Sequence, residues 1–94
     1  MQNSTLFLIQ SAHQHVDKIW NDLEQMAAIT DYIVIMGDAV FQIPNHILHK
    51  FPHLYCLEPE QALLNISAQA QITVLGYAAF SDLVLQFKRC ISLK

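Results

Sequence analysis

Residues 32–38 read YIVIMGD, a run of five apolar residues that ends at Gly37 and Asp38. Four of the five are β-branched or aromatic, and no polar residue interrupts them. A run this short and this apolar is typical of a strand covered on both faces, as in a parallel sheet between helices. A buried helix would need about ten residues or more. We therefore predict that this stretch forms the central strand of the fold.

Three further short apolar runs predict strands at residues 5–9 (TLFLI), 54–57 (LYCL) and 72–75 (ITVL). Between the first two strands, Ser11 and Gln14 form an S-x-x-Q capping box, which predicts the start of a helix. The helix that follows has one apolar stripe and should lie on the sheet through Trp20. The stripe consists of Val16, Ile19, Trp20, Leu23 and Met26.

Proline and acidic residues mark the starts of two more predicted helices. Pro44 suits the first turn of a short helix through Ile47 and Leu48. Residues 58–60 (EPE) should open another short helix through Leu63 and Leu64. A final helix is predicted to have Lys88 and Arg89 near its C-terminal end, and an apolar face made of Phe80, Leu83, Val84, Phe87 and Ile91.

This β-α-β-α-β-α-β-α alternation predicts one α/β domain over residues 1–94, with three layers and a mostly parallel sheet of four strands, or of five. The chain is 53% hydrophobic and 14% charged, against about 25% charged in an average soluble domain. A domain this small has only a modest core. We therefore expect some apolar surface to meet another subunit. The alternative is a hydrophobic monomer.

Several functional classes are disfavoured by the sequence. No apolar run approaches the eighteen or so residues needed to span a bilayer, and the N-terminus lacks the basic region of a signal peptide. We expect a cytoplasmic protein. The net charge is −3 and the five basic residues form no cluster larger than a pair, which argues against direct nucleic-acid binding. No GxGxxG or P-loop pattern is present, so no nucleotide cofactor is expected.

A candidate cleft or interface lies at the carboxyl ends of two predicted strands, where ligands and partners usually meet such sheets. Gly37 and Asp38 follow one strand, and Gly76 and Tyr77 follow another. Each glycine also has a structural interpretation, because glycine relieves a tight strand-to-helix turn. The four residues supply no nucleophile with a base and an oxyanion donor, so they predict no catalytic site.

The two cysteines are the candidate thiols. Cys56 lies inside a predicted strand, where a buried small hydrophobe is the default interpretation. Cys90 is expected in the last turn of the final helix, where the helix dipole disfavours a thiolate although Lys88 and Arg89 partly oppose it. Neither cysteine has disulfide-framework or metal-ligand spacing.

The histidines were considered as metal ligands. His46, His49 and His53 are close in sequence but have no cysteine or acidic fourth ligand at a characteristic spacing. His13 and His15 should point to different faces of their helix. No metal site and no cofactor are therefore predicted.

Three segments resemble the TusB/DsrH family of sulfur-relay subunits, in the DsrE/F/H-like superfamily. They are the central strand with the following Ala39 and Val40, residues 54–60 (LYCLEPE) and residues 72–87 (ITVLGYAAFSDLVLQF). In that family a segment like VYALxxD occupies the same relative place. It is followed by a strand, a tyrosine, a short spacer and a phenylalanine that opens the last helix. The resemblance covers nearly the whole chain, as a pattern of apolar segments with few distinctive chemical residues.

The resemblance implies a cytoplasmic, non-catalytic subunit that joins TusC-like and TusD-like partners as a dimer of heterotrimers. That assembly passes persulfide sulfur toward 2-thiolation of the tRNA wobble uridine; a DsrH-type member would serve sulfur oxidation instead. A homodimer is the alternative for the isolated chain. Some DsrH-type members carry a cysteine in the first half of the chain. This sequence has none before Cys56, which replaces a usual alanine, and Gly37-Asp38 stands where Asp-Gly is expected. The relay thiol is therefore expected on a partner, with a thiol enzyme or sulfur carrier using Cys56 or Cys90 as the alternative.

Overall fold

A computed structural model describes residues 4–10, 16–59 and 71–93. Its strands are β1 (Leu6–Gln10), β2 (Tyr32–Met36), β3 (Leu54–Leu57), β4 (Thr73–Leu75) and β5 (Cys90–Leu93). Its helices are α1 (Val16–Met26), α2 (Asn45–Lys50) and α3 (Tyr77–Leu85), with a 3₁₀ helix (Gly37–Gln42) directly after β2. No helix in these described ranges is long and apolar enough to cross a bilayer.

The five strands form one sheet in the order β4-β3-β2-β1-β5, and every pairing is parallel. The prediction that residues 32–36 form the central strand is confirmed. Ile33 of β2 lies opposite Phe7 of β1 and Leu54 of β3. An α/β domain with a parallel sheet was predicted, and the sheet has the five strands that were given as the alternative to four.

Side chains of β2 alternate between two cores, one on each face of the sheet. Ile33 and Ile35 pack with Trp20 of α1 and with α2 on one face. Val34 packs with Leu83 of α3 on the other face. Because both faces are covered, an uninterrupted apolar run is what this strand requires. Trp20 is 2% exposed, so the prediction that α1 lies on the sheet through this residue is confirmed.

The strand order explains why the helices lie on opposite faces. From β1 through β2 to β3 the chain moves in one direction across the sheet, whereas β5 lies on the far side of β1. Crossover connections between parallel strands are right-handed, so reversing the direction moves the connecting helix to the other face. Hence α3 packs on the face opposite α1 and α2.

The final helix is six residues shorter at its C-terminal end than the predicted one, which reached Ile91. It ends at Leu85, and residues 90–93 form β5, which pairs with β1. Phe87 still joins the α3 core, through a tight turn in which its amide donates to the Val84 carbonyl at 3.3 Å. Ile91, expected on the helix, instead packs on the opposite face of the sheet. Beyond Phe87 the side chains follow the two-residue alternation of a strand, with Ile91 and Leu93 on the same face of the sheet.

Smaller differences concern the ends of elements. Met26 is 49% exposed, so the buried stripe of α1 ends at Leu23. Pro44 precedes α2 as its N-cap residue, and β4 begins at Thr73, one residue later than predicted. The capping box and the helix expected through Leu63 and Leu64 lie outside the described residues.

Candidate functional site

The candidate cleft residues all lie at the carboxyl ends of strands, on the same end of the parallel sheet. Gly37 and Asp38 follow β2, and Gly76 and Tyr77 follow β4, as predicted. However, β3 lies between these two strands, so the two strand ends are separated by two inter-strand spacings, about 10 Å. The structure therefore places both pairs at the carboxyl end of the sheet, but Gly37 and Asp38 are not adjacent to Gly76 and Tyr77.

The backbone of Gly37 has a φ of +63°, in the left-handed region that side chains with a Cβ rarely adopt. It turns the chain from β2 directly into the 3₁₀ helix that contains Asp38. Gly76 has an ordinary φ of −73° as the N-cap residue of α3. The conformation of Gly37 thus has a structural explanation, a tight strand-to-helix turn.

Cys56 lies in β3, is fully buried, and faces the core beneath α1 and α2. Its register partners are Ile35 of β2 and Val74 of β4. A thiol enclosed by apolar side chains is not accessible to a macromolecular donor or acceptor. This agrees with its interpretation as a small buried hydrophobe.

Cys90 is exposed and is the first residue of β5. It was predicted in the last turn of a helix, which is wrong, so the helix dipole does not act on it. Lys88 and Arg89, also exposed, directly precede it in the chain. Of the two candidate thiols, Cys90 is therefore the one that another molecule can reach.

An aromatic cluster lies at the amino ends of β2 and β3, on the α3 face of the sheet. The ring of Tyr32 stacks on His53 with centroids 4.3 Å apart, and on Tyr55 at 5.9 Å. Phe87 closes the cluster with a tilted contact at 5.1 Å. Burial raises the pKa of the Tyr55 phenol, and the neighbouring Tyr32 hydroxyl adds to the rise.

The aromatic cluster was not predicted from the sequence, although the register of β2 and β3 indicates it. Ile33 lies opposite Leu54, and this register sets Tyr32 beside His53 and Tyr55. The register depends on which strands are neighbours, so the signal could be used only after the strand order was known.

The outer surface of α3 is unusually apolar for a helix on one side of a sheet. Only Leu83 of this helix is buried, while Leu85 is 82% and Tyr77 is 65% exposed. An open groove of about 440 Å³ runs along the helix and is lined by Phe80, Ser81, Val84 and Leu85. We call Tyr77 and these four residues the α3 surface. A helix that is apolar on most sides is normally covered on most sides.

Two of the histidines considered as ligands make other contacts. His46 Nε2 lies 3.0 Å from Glu24 Oε1, which joins α2 to α1, and Lys50 Nζ lies 3.8 Å from the other oxygen of Glu24. His53 stacks on Tyr32. Residues 4–10, 16–59 and 71–93 contain no group of three histidine, cysteine or acidic side chains that could hold a metal ion. His13 and His15 lie outside these ranges.

Comparisons of the chain with protein-family models, curated proteins and solved structures found no match.

Proposed function

We propose that this chain is a structural subunit of a cytoplasmic sulfur-relay complex of the TusB/DsrH kind. In this proposal it binds TusC-like and TusD-like small subunits in a dimer of heterotrimers. The complex passes persulfide sulfur toward 2-thiolation of the tRNA wobble uridine. A DsrH-type role in sulfur oxidation is the alternative pathway for the same assembly.

The α3 surface is the observation that carries the proposal. Within the described residues, the five-stranded sheet has two α-helices on one face and one nine-residue helix on the other, so its cover there is unequal. Leu85 exposes most of its side chain beside an open apolar groove. Burying exposed apolar area is the main favourable term in protein association. A subunit made to pack against companions accounts for this surface.

The sequence resemblance and the fold give independent support of a weaker kind. The resemblance implies a small layered α/β domain, and the chain has a three-layer α/β fold with a parallel sheet. Many unrelated proteins share such architectures, so the fold alone does not assign a function.

The positions of the thiols favour a structural role over sulfur carriage by Cys56. Sulfur transfer requires the donor persulfide and the acceptor thiolate to come into direct contact. The side chain of Cys56 is 0% exposed, so that approach is blocked without local unfolding.

The exposure of Cys90 favours a second candidate function, a sulfur carrier. The Cys90 thiolate would attack the outer sulfur of a donor persulfide, the donor would leave as its thiolate, and Cys90 would become the persulfide. Exposed cysteines near cationic side chains are the ones that commonly react. This candidate retains the relay pathway but assigns the chemistry to this chain.

Affinity purification of the tagged chain from its own host tests the structural proposal. We expect two further small α/β proteins to copurify in equal stoichiometry. A Leu85→Glu variant should lose them, because a charge would be buried in the α3 surface. Ile29→Glu is the matched control, since Ile29 is 58% exposed and lies outside the α3 surface. Purification of the wild-type chain alone, as a stable monomer, would contradict the proposal.

Mass spectrometry after incubation with a persulfide donor separates the two candidates. A structural subunit should retain no added sulfur when it is purified alone. Sulfur on the wild-type chain that is lost in Cys90→Ser would assign the carrier function to Cys90.

A further inference from the structure

Strand β5 is an edge of the sheet. It pairs with β1 on one side, and it has no neighbour on the other side within the described part of the chain. An open edge presents backbone amides and carbonyls that can pair with an added strand.

The hydrogen bonds identify which backbone groups face outward. The Leu6 amide donates to the Arg89 carbonyl at 3.0 Å, so Arg89 points its backbone groups toward β1. Successive residues of a strand alternate in this direction. Ile91 and Leu93 therefore also face β1, and the amides and carbonyls of Cys90 and Ser92 face outward.

The side chains on this edge do not block an approaching strand. Cys90 and Ser92 are small and exposed, and Ile91 and Leu93 pack inward against the core beneath α1. Natural edge strands are commonly protected by an internal charge or a proline. The strand reads CISL and contains neither.

Cations flank the edge. Of the five lysines and arginines, Lys88 and Arg89 directly precede β5 and Lys94 follows it in the sequence. No acidic residue follows Asp82, although the whole chain has a net charge of −3. The stretch of sequence that contains β5 is therefore positively charged in an otherwise acidic chain.

We propose that the outer edge of β5 binds an extended acidic segment of another protein, which adds to the sheet as a sixth strand beside Cys90 and Ser92. The backbone pairing supplies the affinity, and acidic residues of the segment pair with Lys88 and Arg89. A second copy of this chain is a poorer occupant, because its own β5 has no acidic residue to pair with Lys88 and Arg89. The inference does not depend on the sulfur-relay function.

A designed peptide tests the proposal on the full chain. The probe is N-acetylated Glu-Glu-Val-Thr-Val-Glu-Glu amide, and the readout is NMR chemical shift and amide exchange. We expect a dissociation constant of about 1 mM or tighter at low salt, with new protection of the Cys90 and Ser92 amides. A peptide with lysine in place of each glutamate should bind at least about tenfold more weakly.

Two variants localise the binding. Ser92→Pro removes an outward amide but leaves the residues that pair with β1, so it should abolish binding while the rest of the spectrum is retained. The double variant Lys88→Glu, Arg89→Glu should weaken binding of the acidic peptide about tenfold and strengthen that of the lysine peptide.

Three results would overturn the proposal. One is the absence of shifts at β5 with the peptide at about 5 mM. Another is binding of a single-stranded oligonucleotide that is as tight as binding of the acidic peptide and is unchanged in Ser92→Pro. That result would make the edge a simple cationic patch. The last is a concentration-dependent dimer that Ser92→Pro dissociates, which would make a second copy the occupant.

Discussion

The carboxylate of Asp31 accepts a hydrogen bond from the backbone amide of Thr5 at 2.8 Å, which joins the residue before β2 to the residue before β1. Its second oxygen accepts from the amide of Ala28, also at 2.8 Å. Asp31 is 8% exposed, the one buried polar residue that the structure describes. Beside it, the Tyr32 amide donates to the Thr5 carbonyl at 3.0 Å. Asp31 therefore fixes where the two central strands begin.

Replacing Asp31 should destabilise the fold more than its small size suggests. Asp31→Ala leaves the amides of Thr5 and Ala28 without their acceptor. The loss should cost about 1–3 kcal/mol in total, because both hydrogen bonds are only partly buried and water can reach the exposed Ala28. Asp31→Asn keeps one acceptor oxygen and should cost less. Urea unfolding measures both changes. Asp82→Asn, at an exposed position of α3, is the control and should change the free energy of unfolding by less than about 0.5 kcal/mol.

Gly37→Ala should lower the free energy of unfolding by about 1–2 kcal/mol, because the φ of +63° is unfavourable for a residue with a Cβ. A Cβ at Gly37 would have no atom within 4 Å, so the cost is conformational and not steric. Gly37→Asn should cost less than alanine, since asparagine tolerates this region. Gly76→Ala is the matched control, with an ordinary φ and equally open surroundings. Equal losses at the two glycines would contradict this explanation.

The aromatic cluster should make stability sensitive to alkaline pH. Burial and the neighbouring Tyr32 raise the pKa of Tyr55 above its usual value of 10.0, so the fold favours the protonated phenol. This contribution is complete below pH 10 and is lost as pH rises above it through the folded pKa. Thermal unfolding followed from pH 8 to about 11 should show a smaller alkaline decrease in Tyr55→Phe than in the wild type. Tyr77→Phe, at an exposed position, should leave the decrease unchanged.

The two cysteines should differ sharply in reactivity. Cys90 should react with a maleimide in the native protein, whereas Cys56 should react only after local or global opening, because it is fully buried. Mass spectrometry of the timed reaction should show one modification in the native state and two in denaturant. Cys90→Ser should remove the fast phase and Cys56→Ala the slow one. Rapid modification of Cys56 in the native protein would contradict the described packing.

The central strand could be predicted because its sequence and its surroundings agree. Residues 32–36 need cover on both faces, and an uninterrupted apolar run indicates this without knowledge of the partners. Ile91 was predicted to lie on the final helix but lies in β5. It continues the helical spacing of Phe80, Val84 and Phe87, yet pairing with β1 draws it into a strand. Tertiary pairing thus outweighed a local periodicity that fits either structure.

The candidate site was predictable only in part, for a related reason. The two glycines were correctly placed after strands, but the sequence does not reveal that β3 separates those strands. The role of Asp31 was not predicted, since one of its carboxylate oxygens accepts from the amide of Thr5, 26 residues away in the chain. Cys90 was assigned to a helix end because the start of β5 was not recognised.

Strands β1 and β5 pair with each other, although they lie near opposite ends of the described chain. Loops of this length close slowly, and parallel sheets built from distant segments fold late. During synthesis β1 can pair with β2 first, but its other edge stays unpaired until β5 has left the ribosome. The sheet is therefore complete only once β5 is available, and a chaperone should shorten the interval during which the open edge of β1 can aggregate.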